Sequence, residues 1–230
     1  MLSHCIFLVG SSKGEFIMQP KNNERATLFS NPFLELLTKS HPLVIWGVYL
    51  PIIGYFLYFA SLKLPIWVLV LVFLFAMLTW TLFEYLAHRF LFHWVSNRVR
   101  SKKFIYIIHG NHHEFPRDRQ RLFMPLVPSL VISSSLFGLQ FLVLGKLVFA
   151  FFPGFMLGYL LYASTHYAIH AWDPPFAFMR PLWRNHLMHH YQDEHLGFGV
   201  SNSFWDRVFK TGFDQHRFKE DREKEKLLKF

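Results

Sequence analysis

The sequence predicts an all-α, polytopic integral membrane protein: four transmembrane helices in two hairpins beneath a cytoplasmic, histidine-rich helical cap. Three observations carry this prediction. Of the 230 residues, 52% are apolar and 28 are Phe, a composition that water-soluble domains do not reach. Four apolar stretches approach the roughly 20 residues a helix needs to cross about 30 Å of hydrocarbon. The 14 histidines are not scattered, and ten of them follow a repeated pattern.

The spans are expected at 42–60, 65–87, 125–144 and 147–166. The first two are joined by "SLKL", which predicts a tight hairpin. The second two turn near Gly145 and Lys146, although "FAFFPGF" blurs where the fourth begins. Pro65 suits a first helical turn, and Pro51, Pro128 and Pro153 are tolerable in lipid where neighbouring groups satisfy the freed carbonyls. Ahead of the spans, "NPFLELLTK" at 31–39 predicts a short interfacial helix capped by Asn31, with Pro32 at its first position.

Charge fixes an orientation. Of the 24 Lys and Arg, 22 lie in the N-terminal arm, in 88–124 or after 167, and only Lys63 and Lys146 occupy the two short opposite loops. The positive-inside rule therefore places both termini and the central loop in the cytoplasm. The net charge of +9 comes from residues that flank spans and alternate with acids in "KEDREKEKLLK". Anionic lipid and solvent account for that pattern, and nucleic acid is not an expected partner. "MLSHCIFLVG" is too short to span and has no cleavage site, so it is not expected to be a signal peptide. Met18 begins a stretch that leads directly into the first span, and residues 1–17 are expected to be dispensable or to follow a mistaken start.

His88 and His93 close the second span, and "HGNHH" supplies His109, His112 and His113. His166 and His170 close the fourth span, and "NHLMHH" supplies His186, His189 and His190. The gaps from His93 to His109 and from His170 to His186 are both 16 residues. The arrangement is an internal repeat of hairpin, histidine pair, spacer and histidine triplet. Residues at i, i+3 and i+4 share a helix face, so each triplet aims its rings one way, as do His166 and His170. His88 and His93 are five apart, about 140° around a regular helix, so they serve different metals or straddle a helix end. His4, His41, His195 and His216 fall outside the repeat and read as ordinary structural or surface residues.

Ten neutral imidazoles at a membrane surface need a partner, and metal accepts many at once. One ion takes four to six ligands, so the set implies a dimetal centre. With a single cysteine, Cys5, the ligands are nitrogen or oxygen. Imidazole suits iron, zinc, copper and nickel, and spacing does not choose among them. A two-metal centre beside lipid suggests redox work on a hydrocarbon, because two ferrous ions can reduce O₂ to an oxidant that attacks unactivated C–H bonds. Nucleotide-binding loops and a GxSxG elbow are absent, so electrons come from elsewhere. A metal carrier would place ionisable groups at mid-bilayer and a b-type heme protein would place facing histidines within spans, and neither pattern is present.

"FEYLAHRFLFH", "HGNHHEFPRDRQRLFMP", "GYLLYASTHYAIH" and "NHLMHHYQDEHLGFGVSNSFWDRVF" together resemble the membrane fatty acid hydroxylase (sterol desaturase/fatty acid hydroxylase) superfamily over about residues 75–210. The resemblance is closest to the fatty acid 2-hydroxylases that act on sphingolipid acyl chains. It implies O₂-dependent (R)-2-hydroxylation of a long fatty acid or of the N-acyl chain of ceramide. It implies two iron ions, or zinc in isolated protein, bound by His88, His93, His109, His112, His113, His166, His170, His186, His189 and His190. The carotenoid and sterol oxygenases of the same superfamily are the neighbouring alternative. Relatives often carry a cytochrome b5 domain; the heme motif HPGG is missing here, so a separate cytochrome b5 or ferredoxin type donor is expected. Where many relatives have Tyr-Asp before the third box, this chain has Tyr162 and Ala163.

On this basis residues 1–40 form a cytoplasmic arm, 41–213 the hydroxylase domain and 214–230 a charged tail, in a bacterial inner membrane or the endoplasmic reticulum. Glu84 and Asp206 are expected to accept N–H bonds from ligand imidazoles and fix their tautomers, and Asn111 and Asn185 are weaker candidates for that role. Tyr159 and Tyr162 are expected where an acyl chain approaches the metals.

Overall fold

The computed structural model describes residues 20–94 and 98–213. The expectations for residues 1–17 and for the tail at 214–230 lie outside the described residues. Within them every regular element is helical. A short α1 (Pro32–Leu36) follows the cap foreseen for it: Asn31 Oδ1 accepts from the amides of Phe33 and Leu34 at 2.9 and 3.2 Å.

Four long apolar helices follow: α2 (Pro42–Ser61), α3 (Ile66–Leu86), α6 (Leu126–Leu144) and α7 (Val148–Ala171). Among the described residues, three stretches are long and apolar enough to cross a bilayer: Pro42–Ser61, Ile66–Phe92 and Leu126–Ala171. The 46 residues of the third are broken by a 3₁₀ turn, Gly145–Leu147, where Gly145 takes a φ of 53° that only glycine adopts readily. Beyond the turn the chain folds back, so Phe137 meets Phe152 at 5.2 Å and Ser129 reaches the Tyr159 hydroxyl at 3.5 Å. The outward faces expose Leu43, Trp67, Leu78, Leu142 and Val143, surfaces that lipid solvates and water does not. The chain is an integral membrane protein.

The hub of the bundle is α7, buried along most of its length, with α2 and α3 both packed against it. The short connection between α2 and α3 is present, but these two helices touch mainly through α7 and not across a tight hairpin. The sequence signal for this is "GFMLG". A Cβ at Gly154 would run into the carbonyl oxygen of Phe73, and one at Gly158 would lie 2.6 Å from Trp80 Cβ, so two bare turns let α3 and α7 approach closely. Because lipid offers no hydrophobic drive for helix association, hydrogen bonds supplement packing. Trp46 Nε1 donates to Ser164 Oγ at 2.9 Å, and Tyr49 joins Ser129 and Ser133 at 2.7 and 3.0 Å. Pro153 sits inside α7 without ending it.

The cap is built from shorter pieces. A π-helix, Ala87–Phe92, continues α3, and α4 (Val99–Ile105) runs through a second π-helix, Tyr106–Gly110, into α5 (Asn111–Glu114). After α7 come α8 (Arg180–Tyr191) and α9 (Phe204–Val208), joined by a loop that folds back over the histidines.

Candidate metal centre

All ten histidines of the repeat converge, and they form two groups of five. His88, His93, His109, His113 and His189 make one, and His112, His166, His170, His186 and His190 make the other. Within each group the potential ligand atoms lie within 4.8 Å of one another. Each triplet divides: two rings four residues apart serve one group, and the ring between them crosses to the other. His112 of the first half thus joins the second pair, and His189 of the second half joins the first.

The five-residue spacing of His88 and His93 departs from the regular-helix expectation. Residues 87–92 are a π-helix, and the His93 amide donates to the His88 carbonyl at 3.2 Å, an i→i+5 bond. The wider turn carries residues five apart round to the same side, so both rings enter one group. In the second half the same task falls to His166 and His170, four apart in a regular stretch of α7. The π turn absorbs the one extra residue by which the two halves differ. The side-chain amide of Asn111 donates to the carbonyls of Tyr106 and Ile107 at 3.0 and 2.8 Å, satisfying backbone groups of the second π segment.

Ring tautomers are set by backbone carbonyls. His88 Nδ1 donates to Phe198 O at 2.6 Å, His189 Nδ1 to Leu196 O at 2.7 Å and His166 Nδ1 to Leu122 O at 3.4 Å. A carbonyl only accepts, so in each ring the proton is on Nδ1 and Nε2 presents a lone pair to the group. Across the set, Nε2 atoms face one another: His88 and His109 at 3.1 Å, His93 and His189 at 3.0 Å, His112 and His166 at 2.8 Å, and, without a carbonyl on either Nδ1, His170 and His186 at 2.9 Å. Two nitrogens bound to one ion at about 2.1 Å stand about 3.0 Å apart when their bonds are perpendicular, so the donor set fits a cation in each group. Protons do not serve instead. Burial, reinforced by neighbouring imidazoles, holds His109, His112, His113, His186, His189 and His190 well below the ordinary histidine range and depresses His93 too. Neutral rings with converging lone pairs are compatible with a metal centre.

The carboxylates expected to orient the imidazoles do something else. Glu84 accepts from the Ser201 amide and hydroxyl at 2.9 and 2.7 Å and from Trp80 Nε1 at 3.2 Å. Asp206 accepts from the amides of Phe198 and Gly199, both at 2.9 Å, from Thr211 Oγ1 at 2.8 Å and from Asn185 Nδ2 at 3.2 Å. Neither reaches an imidazole in these bonds; both pin the 197–211 loop, whose neighbouring carbonyls do. Asn185 and Asn111 are likewise backbone anchors. His41 caps α2, its Nδ1 accepting from the Leu43 amide at 3.2 Å, and His195 stays outside both groups.

An apolar cavity of about 540 Å³ runs among α3, α6 and α7 and reaches His109, His112 and His166, members of both groups. Tyr159 and Tyr162 line it, with the Tyr162 ring stacked parallel to His166, 6.0 Å between centroids. Ala163 lines it too. Leu28, Phe29, Leu34 and Leu37 of the arm form part of its wall, a role the sequence did not disclose.

Residues 73–211 match the fatty acid hydroxylase family. The chain belongs to that family. Among its relatives, the dihydroceramide fatty acyl 2-hydroxylase FAH2 of Arabidopsis thaliana is 34% identical over 206 residues, covering 88% of this chain and 87% of that protein. The ceramide very long chain fatty acid hydroxylase scs7 of Schizosaccharomyces pombe is 38% identical over 190 residues, covering 81% of this chain and 54% of that one. The chain thus spans about half the length of that relative. A solved family structure, full-length scs7p with only its hydroxylase domain visible, superposes with a TM-score of 0.80 at 35% identity, covering 86% of this chain and 77% of that chain.

Proposed function

We propose that this chain is a membrane lipid hydroxylase that places a hydroxyl on the carbon next to the carbonyl of a long acyl chain. The observation that carries the proposal is the junction of the apolar cavity with both histidine groups: a slot suited to a hydrocarbon ends at ten converging imidazole rings. The Arabidopsis relative, a dihydroceramide fatty acyl 2-hydroxylase, supports the same position of attack. The ligands are the ten histidines in their two groups of five. Bound redox-active metal, iron by the chemistry required, supplies the capacity to use O₂ on an unactivated C–H bond, with electrons from a separate cytochrome b5 or ferredoxin type protein.

The chain's own residues decide where that capacity acts. The slot among α3, α6 and α7 holds the tail in one direction, and its apolar lining keeps water from the reacting carbon. Tyr162, stacked on His166, limits how far the chain advances past the rings. Phe198, Leu196 and Leu122 hold protons on the Nδ1 atoms of three rings, so their Nε2 lone pairs stay directed inward. Charge distribution supports four crossings, with α6 and α7 as separate spans, residues 41–213 as the hydroxylase unit, α1 at the interface, and the cap and both termini in the cytoplasm.

Expression in a host lacking 2-hydroxy lipids, followed by lipid mass spectrometry, tests the proposal. One added oxygen at the second acyl carbon, lost in His→Ala variants that still insert, is the expected result. An oxygen gained only by isoprenoids, or full activity in several of those variants, would overturn it.

A further inference from the structure

The two histidine groups have equal numbers of rings and unequal backing. In the first, two rings are fastened through Nδ1 by short bonds to carbonyls, His88 to Phe198 O at 2.6 Å and His189 to Leu196 O at 2.7 Å. The peptide that carries Phe198 O is itself fixed, because its Gly199 N–H donates to Asp206 Oδ2 at 2.9 Å. A third ring, His113, has a carboxylate beside it. Glu194 Oε2 lies 3.8 Å from His113 Nδ1, too far for a hydrogen bond and near enough for its charge to act. The second group has one fastening, the 3.4 Å contact from His166 Nδ1 to Leu122 O. His170, His186 and His190 are buried, and the Nδ1 of each lacks a hydrogen-bond partner among the described residues. Arg117 adds positive charge that acts on His170.

A neutral imidazole that presents Nε2 to a cation carries its proton on Nδ1. An acceptor on that proton fixes the ring plane and makes Nε2 a stronger donor to the ion. A buried N–H without an acceptor loses both effects and bears the cost of its own desolvation. A nearby carboxylate favours a bound cation, and a nearby guanidinium opposes one. Each of these differences favours the first group.

We propose that the two metal sites are inequivalent: the first group holds its ion firmly and the second is the exchangeable site, with Glu194 as a positioning residue for the first. This inequality rests on the dimetal reading above. It assigns the weaker hold to the group that gives the slot two rings, His112 and His166, against the single His109 from the other. Zinc is the probe, because it has no geometric preference of its own and leaves the backing of the rings to decide. Full-length protein is stripped of metal, given one zinc ion per chain and crystallised, and anomalous diffraction at the zinc edge reads the occupancy of each group. An affinity difference of about tenfold, the low end for loss of an outer partner, places about three times as much zinc in the first group as in the second. A peak in the first group higher by at least that factor is expected. Equal peaks, or a higher peak in the second group, overturn the inequality, and no peak in either group overturns the dimetal reading beneath it. Competitive chelator titration repeats the comparison in solution. His170→Ala/His186→Ala, which keeps the first group, is expected to hold its one ion at least about tenfold more tightly than His109→Ala/His113→Ala, which keeps the second. Equal affinities in these two variants contradict the proposal. Glu194→Gln keeps the shape and removes the charge; it is expected to weaken the first ion about threefold or more and leave the second unmoved, whereas a general structural loss moves both. A first ion unmoved by Glu194→Gln, or both ions weakened alike, overturns the role of Glu194.

Discussion

The Nε2 atoms of His93 and His189 stand 3.0 Å apart although 96 residues separate them in the chain. His112 and His166, 54 residues apart, mirror the pair at 2.8 Å in the other group. Each half of the repeat lends one triplet ring to the group of the other half. Neither half completes its own set, so any ion bound in one group also ties the two halves together.

This exchange separates adjacent residues by role. His112→Ala and His113→Ala are each expected to lose one ion, and opposite ones. The double variant His112→Ala/His113→Ala then retains none, whereas His112→Ala/His166→Ala, within one group, retains one. Metal quantification on purified protein distinguishes these outcomes.

Asp206 bonds to Phe198, Gly199, Thr211 and Asn185 and not to a ring, yet the two amides it holds belong to the loop whose Phe198 carbonyl orients His88. Asp206→Ala is expected to weaken metal binding about 10- to 100-fold, the effect typical of losing an outer partner of a ligand. A competitive chelator titration reads this directly, and an unchanged affinity would show that the loop is held by other means.

Gly158 marks the closest approach of α7 to Trp80 of α3. Gly158→Leu forces the two helices apart, at a cost of about 1–3 kcal/mol or more. Thermal unfolding in detergent is expected to shift downward, whereas Gly138→Ala, where an added Cβ meets nothing within 4 Å, leaves it in place.

The cap histidines with depressed pKa values bind fewer protons folded than unfolded. Stability of the metal-free cap is therefore full above the ordinary histidine pKa of about 6.5 and is lost as pH falls below it, by up to about 1.4 kcal/mol per pH unit for each such ring. Hydrogen exchange across 109–113 and 186–190 is expected to accelerate steeply below about pH 6 without metal and much less with it, because bound metal competes with protons for the same nitrogens.

The parts legible in the sequence were those written in local spacing. Helical periodicity placed the triplets on common faces, the length of apolar runs placed the long helices, and Gly145 marked their turn. The sharing of triplets between groups depends on contacts tens of residues apart and leaves no local trace. The π-helix at Ala87–Phe92 is a change of hydrogen-bond register, visible beforehand only as an awkward five-residue gap. Carboxylates are common partners of metal-bound histidine, but Glu84 and Asp206 bond to Ser201, Trp80 and the amides of Phe198 and Gly199. The groups that hold His88, His189 and His166 are backbone carbonyls, which every residue has and no sequence singles out. The central place of α7 is legible in "GFMLG", two glycines one turn apart whose missing Cβ atoms let α3 approach closely.

Anomalous diffraction from iron-loaded crystals, collected on either side of the iron absorption edge, tests the central claim most directly. Two peaks are predicted, one among His88, His93, His109, His113 and His189 and one among His112, His166, His170, His186 and His190. A single peak, or peaks away from these rings in fully loaded protein, would contradict it.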